Sequence, residues 1–171
     1  MAGLDTDTIA AVATARGNGP VGIIRLSGPD ALPIALTLSD SELMPRYAHF
    51  RCFLDNDGQT IDSGLAIYFP GPNSFTGEDV VEIQGHGGHV VLQTLLSRCI
   101  DLGARQARPG EFSERSFING KIDLLQAEAI ADLIAAETET AAKLATASLS
   151  GVFSSLVDEL SQQLNELRAL T

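Results

Sequence analysis

The chain has 171 residues, 44% hydrophobic and 19% charged, which supplies enough apolar material for a core and too little charge for general disorder. A formal net charge of −11 sets the average surface against phosphate backbones, so direct nucleic-acid binding by this piece is disfavoured. No apolar run reaches the roughly 18 residues a membrane span needs, and "MAGLDTDT" lacks the basic and apolar regions of a signal peptide, so a soluble, cytoplasmic protein is expected.

In chain order, "TIAAVAT" and "VGIIRLSG" are β-branched runs joined by the glycine-rich "ARGNGP", which suits a hairpin. In "SGPDALPIALTL", Ser27 or Asp30 is placed to cap a short helix, with Pro29 in its first turn. "YAHFRCFLD" alternates and puts Ala48, Phe50, Cys52 and Leu54 on one face; "DNDG" then turns the chain into "SGLAIYFPG", where Leu65, Ile67 and Phe69 share a face. A loop, "GPNSFTGE", leads to the strand "DVVEIQ" and the turn "GHGG".

Beyond that turn the apolar period changes. Val91, Leu92, Leu95, Leu96, Cys99 and Leu102 form one helical stripe ending at Gly103, so the first part reads as a mixed α/β or α+β domain. "RPGEFSERSFINGK" predicts a short helix closed by Asn119 and Gly120. From Asp123 onward glycine and proline nearly vanish, and Asp123 with Gln126 matches a capping box. Leu149, Phe153, Leu156, Leu160, Leu164 (or Gln163), Leu167 and Leu170 recur at threes and fours along a long helix whose stripe needs a partner, so the rest of a helical domain is expected downstream.

The chemistry-bearing residues are few. Cys52 and Cys99 show no CxxC spacing and no neighbouring histidines, so both are read as buried thiols in a reducing compartment. "RGNGP" is neither GxxxxGK[ST] nor GxGxxG, which argues against nucleotide binding there. Arg105, Arg108, Arg115 and Lys121 suggest a local basic patch that Glu111 and Glu114 interrupt. His86 is a candidate acid or base by residue type, since the unperturbed imidazole changes charge near neutrality, but no carboxylate or nucleophile is spaced to serve it, and His49 and His89 are weaker candidates. Glu128 and Asp132, four apart, read as a solvated helix face.

Two charges interrupt strands. In "DVVEIQ", Val81 and Ile83 share one face and Val80, Glu82 and Gln84 the other; in "GIIRLSG", Arg25 shares a face with Ile23 and Ser27. Either charge is an ordinary surface residue if its face is solvent. If the strands are neighbours, the two line one polar pocket beside glycines that let a ligand approach the backbone.

"GIIRLSG", "FPGPNSFTGEDVVEIQGHGG" and "ARPGEFSERSFINGKIDLLQAEAIADLI", with the spacing between them, closely resemble the N-terminal part of the MnmE (TrmE) family of tRNA modification GTPases over nearly the whole chain. The resemblance implies an α+β fold: a mixed β-sheet with flanking helices, like the folate-binding domain of the glycine-cleavage T protein, followed by an all-α segment. It places a folate-binding and dimerisation domain over residues 1–120 and the first part of a helical domain over 121–171. The family inserts a GTPase domain into its helical domain and carries a C-terminal cysteine motif. Neither has a counterpart here, so this piece is expected to neither bind nor hydrolyse GTP, and GTP, Mg2+ and K+ belong to the full-length protein.

Members of the family act as homodimers with the flavoprotein MnmG to modify carbon 5 of the wobble uridine, tRNA being engaged through the full complex. The family's folate-site residues carry over onto Arg25, Glu82 and Lys121, which implies a site for 5-formyltetrahydrofolate or 5,10-methylenetetrahydrofolate and no catalytic or metal-ligating residue in this part. A pterin presents an N–H and an amino group side by side, which the Glu82 carboxylate would accept, while Arg25 and Lys121 would attract the anionic glutamyl tail or polarise the one-carbon group. Two rival readings are a dimerisation module with a vestigial folate site and a T-protein-type one-carbon transferase, the latter needing further domains.

Overall fold

The computed structural model describes residues 7–169 apart from 16 and 18, with the side chains of 152–156, 158, 167 and 169 outside that description. The chain divides into two compact units, Met1–Phe112 and Ser113–Thr171.

In the first unit the β-branched runs form a six-stranded sheet of β1 (Ile9–Val12), β2 (Gly19–Ser27), β3 (His49–Leu54), β4 (Thr60–Phe69), β5 (Val80–Gly87) and β6 (Arg105–Gln106), ordered β3-β4-β5-β2-β1-β6. Neighbours are antiparallel except β1 and β6, which are parallel. The register pairs Ile24 with Ile83, Leu26 with Val81 and Ala66 with Ile83, so these side chains share one face. On that face they join Ile34 and Leu38 of α1 (Ala31–Ser39) and Leu92, Leu95, Leu96 and Cys99 of α2 (His89–Asp101) in a single apolar core. The fold is therefore the α+β class expected, a mixed sheet with helices and then a helical segment. The opposite face carries Ile23, Arg25, Ile67, Glu82 and Gln84, all only half-buried, and it is the face that holds the charges.

Three expectations about local structure change. Cys52 is exposed, as is Phe50 at 65%, because the register sets both on the open sheet face with Leu65 and Gln84, while the other alternation, His49 and Phe53, is buried. The apolar side of "YAHFRCFLD" thus points away from α1 and α2. Neither Ser27 nor Asp30 caps α1 through its side chain; the Asp30 N–H donates instead to Thr8 Oγ1 at 2.8 Å, and the Ser27 hydroxyl is engaged with Glu78.

The helical tail is also more broken than its composition suggests. A short helix α3 (Glu111–Ile118) closes at Gly120, which has φ +66° as its position after a helix end requires. Three helices follow, α4 (Leu124–Ala135), α5 (Glu139–Leu149) and α6 (Val152–Ala169). The Asp123–Gln126 capping box forms in both directions, at 2.7 and 2.9 Å. Thr138 starts α5 by accepting from the Ala141 N–H, and Gly151, at φ +78°, separates α5 from α6. Leu149 therefore ends α5 rather than beginning the long leucine stripe. Leu160 and Leu164 are exposed on α6; the side chains of Phe153, Leu156 and Leu167, and Leu170 as a whole, lie outside the described residues. No helix among the described residues is long and apolar enough to cross a membrane.

Candidate functional site

Arg25 and Glu82 are direct register partners on the two central strands, β2 and β5, so their side chains rise side by side from the open face. Arg25 donates from Nε at 3.0 Å and from Nη2 at 2.7 Å, both to Glu82 Oε1. The side chains are 29% and 16% exposed, which leaves both reachable from solvent yet partly screened from it. Oε2 of Glu82 accepts no hydrogen bond among the described residues. The acid in mid-strand thus has an internal counter-ion and one oxygen to spare.

Two aromatic rings complete the surroundings of Arg25. Its Cζ lies 5.6 Å from the Phe75 ring centroid and 5.8 Å from that of Phe112, within cation–π range. Ser27, two residues along the same face, donates to Glu78 Oε2 at 2.6 Å and stands 2.6 Å from Thr76 Oγ1. Serine has one proton, so Thr76 is the donor in that second contact. This buried hydroxyl pair ties the loop between β4 and β5 down beside the charge pair.

Two members of the basic cluster read from the sequence, Arg105 and Arg108, are neutralised from within it. Glu111 is 1% exposed and takes a fork from Arg105, Nη2 to Oε1 at 2.6 Å and Nη1 to Oε2 at 3.1 Å, plus the Arg108 N–H at 2.7 Å. Its hydrogen bonds, followed by those of Asp7, raise the Arg105 pKa above its ordinary value. The carboxylate placed so as to interrupt the patch is the common partner of Arg105 and Arg108.

His86, at the end of β5, has the carboxylate partner that local spacing did not reveal. Asp62 on β4, 24 residues away, accepts from the His86 backbone N–H through Oδ2 and meets Nδ1 through Oδ1, each at 2.7 Å. Burial pushes the Asp62 carboxyl up, but the side-chain and backbone hydrogen bonds from His86 outweigh it and hold the group below the usual aspartate value. The Asp62 side chain is 8% exposed and the His86 ring 72%. Gly85 makes room for this contact, since a Cβ there would collide with Asp62 Oδ2. His49 is structural: buried, with Nε2 accepting from the Met44 N–H at 2.9 Å.

Lys121 belongs to the second unit, where it is exposed and its backbone N–H donates to Ser116 O at 2.9 Å. The structure brings Arg25 and Glu82 together; Lys121 is described with the helical unit alone. Among the described residues no group of three or more His, Cys, Asp or Glu is arranged to hold a metal ion.

Comparison with known proteins gives the family. The family model described as "GTP-binding protein TrmE N-terminus" matches residues 8–121, and that described as "MnmE helical domain" matches residues 124–171. The chain belongs to the TrmE/MnmE family. Curated relatives named tRNA modification GTPase MnmE are 64% identical over 95% of this chain in Pseudomonas paraeruginosa and 59% identical over 98% in Dechloromonas aromatica. The Pseudomonas aeruginosa relative of that name is 63% identical over 95% of the chain. The chain spans 36% of the length of the two Pseudomonas relatives and 37% of the Dechloromonas one.

Within this TrmE/MnmE-family chain, sequence reasoning found the charge pair but missed what surrounds it. Phe75, Phe112, Thr76 and Glu111 come from segments that read as polar loop and helix start, and only the strand register discloses what they meet. "GEF", a carboxylate and an aromatic side by side after a glycine, was the one available signal for the Glu111 and Phe112 pair.

Proposed function

We propose that this chain is the folate-binding and dimerising front part of a cytoplasmic tRNA modification GTPase that works with the flavoprotein MnmG on carbon 5 of the wobble uridine. The observation that carries the proposal is the Arg25–Glu82 pair on an open sheet face, in a chain of this family. A carboxylate with an uncommitted oxygen suits the adjacent N–H and amino donors of a pterin, and Phe75, 39% exposed, offers an apolar wall to a flat ring. The donor set therefore fits a reduced folate, either 5-formyltetrahydrofolate or 5,10-methylenetetrahydrofolate. When bound, such a folate supplies a one-carbon unit; Glu82 would orient its ring, and Arg25 and Lys121 would attract its anionic tail or polarise the one-carbon group.

Domain limits at 1–120 and 121–171 belong to this reading, as do GTP, Mg2+ and K+, which the longer protein would bind outside this piece. The piece itself would be inactive as a GTPase, tRNA would be met by the full complex, and no membrane is involved. Homodimerisation is supported by apolar side chains left open on the β3–β4 edge: Phe50 and Leu65 are register partners, 65% and 37% exposed, and a second copy would cover them.

Titration of the purified protein with 5-formyltetrahydrofolate tests the first part. Saturable binding is expected, at least tenfold weaker in Glu82→Ala; no saturation, or equal binding by that variant, rejects the folate site. One observation favours a second reading, a dimerisation module with a vestigial site: Glu82 already has both an Arg25 Nε and an Nη2 donor on one oxygen. Sedimentation with and without folate separates the two, because a vestigial site leaves the dimer unchanged by ligand and binds none.

A further inference from the structure

Arginine on a sheet face ordinarily has rotamer freedom, and a guanidinium that swings into water would leave Glu82 without its partner. Here that freedom is restricted by two rings of unusual placement. Phe75 remains 39% exposed in a loop, so burial alone does not account for its position. Phe112 is half-buried at the first turn of α3.

Each ring is the immediate chain neighbour of a buried polar anchor. Thr76, 0% exposed, is bonded to Ser27 on the same face of β2 as Arg25, and this fixes the backbone next to Phe75. Glu111, 1% exposed, is forked by Arg105 next to β1, and this fixes the backbone next to Phe112. With the backbone held, each phenylalanine has only two torsions with which to aim its ring. Both rings come within 6 Å of the same atom, Arg25 Cζ. The donors Nε and Nη2 are meanwhile spent on Glu82, and the ring contacts draw on the charge rather than on a donor, so the two kinds of contact do not compete.

We infer that Phe75 and Phe112 are positioning residues: anchored through Thr76 and Glu111, they hold the Arg25 guanidinium against Glu82 and so keep the carboxylate aimed across the open sheet face. The affinity readout of this inference rests on the folate reading above; its spectroscopic readout does not.

The test uses the full-length protein and the variants Phe75→Leu, Phe112→Leu, Phe75→Tyr and Phe112→Tyr, with Phe75→Met and Phe112→Met in reserve should a leucine variant fail to fold. In the absence of ligand, the Arg25 Nε–H proton, assigned by its loss in Arg25→Lys, is expected to exchange slowly with solvent. Its exchange speeds up in the leucine variants and stays slow in the tyrosine variants. Titration with 5-formyltetrahydrofolate is expected to show about 2- to 30-fold weaker binding for Phe112→Leu, the range that loss of one cation–π contact predicts, and less than a twofold change for Phe112→Tyr. Arg25 Nε–H exchange unchanged by both leucine changes overturns the inference, as does equal weakening of folate binding by Phe112→Leu and Phe112→Tyr. If the wild type fails to bind folate, the folate reading falls and the exchange rate alone decides the positioning role.

Discussion

Glu111 is a buried charge whose loss the fold should feel clearly. Glu111→Ala removes both Arg105 contacts and the acceptor of the Arg108 N–H, and it empties a fully buried volume at the start of α3. The Arg105 contribution must be discounted, because its side chain is 38% exposed and keeps Asp7 at 2.5 Å, so it can rehydrate. The stranded N–H costs about 1 kcal/mol and the vacated space a similar amount, and with a discounted charge-assisted pair the loss comes to roughly 3 kcal/mol. For a chain of this size that is a fall of about 6–12 °C in Tm. Glu111→Gln keeps the shape and one acceptor and should lose about half as much. Urea unfolding followed by far-UV circular dichroism measures both, and adding salt should change the difference little, because a pair buried at its acidic end is poorly screened. A Glu111→Ala variant within about 0.5 kcal/mol of wild type would refute the claim that this carboxylate organises the arginines around it.

Asp62 gives a pH dependence of definite sign. Its folded pKa lies below the unfolded value of about 3.9, so the stability it adds is full above that value and is lost as pH falls through the folded pKa; the gap between wild type and Asp62→Asn should close in acid. A gap that widens below pH 4 contradicts the His86 hydrogen bonds as its origin. The two thiols should differ in native protein: exposed Cys52 should react readily with a disulfide reagent at pH 8, whereas Cys99, buried and pushed up to about 12, should react only on unfolding. Asp123→Ala removes one half of the capping box and should cost about 1 kcal/mol, read as faster amide exchange in the first turn of α4.

Local patterns carried much of this molecule. Alternation in "DVVEIQ" and "GIIRLSG" assigned Val81 and Ile83 to one face and Glu82 and Arg25 to the other, and the leucines of α2 announced their stripe, because periodicity of two or of three to four is a property of adjacent residues. What stayed hidden depends on distant partners. Nothing near His86 indicates Asp62, and the exposure of Cys52 follows from which face of the sheet the helices cover, which is a fact of register and packing rather than of its own six residues. The joint at Thr138 escaped notice because alanine-rich sequence on both sides favours helix, and a single hydroxyl decides where one helix begins.

The exact opposition of Arg25 and Glu82 across β2 and β5 has a consequence for folding as well as for any ring the face receives. Were β5 to dock one residue out of step, Glu82 and Gln84 would turn beneath α1 and α2 while Val81 and Ile83 faced outward. An acid stranded in hydrocarbon, with its arginine left on the far side, is a heavy penalty on that misalignment. The two charges thereby proofread the pairing of the central strands before they serve any visitor.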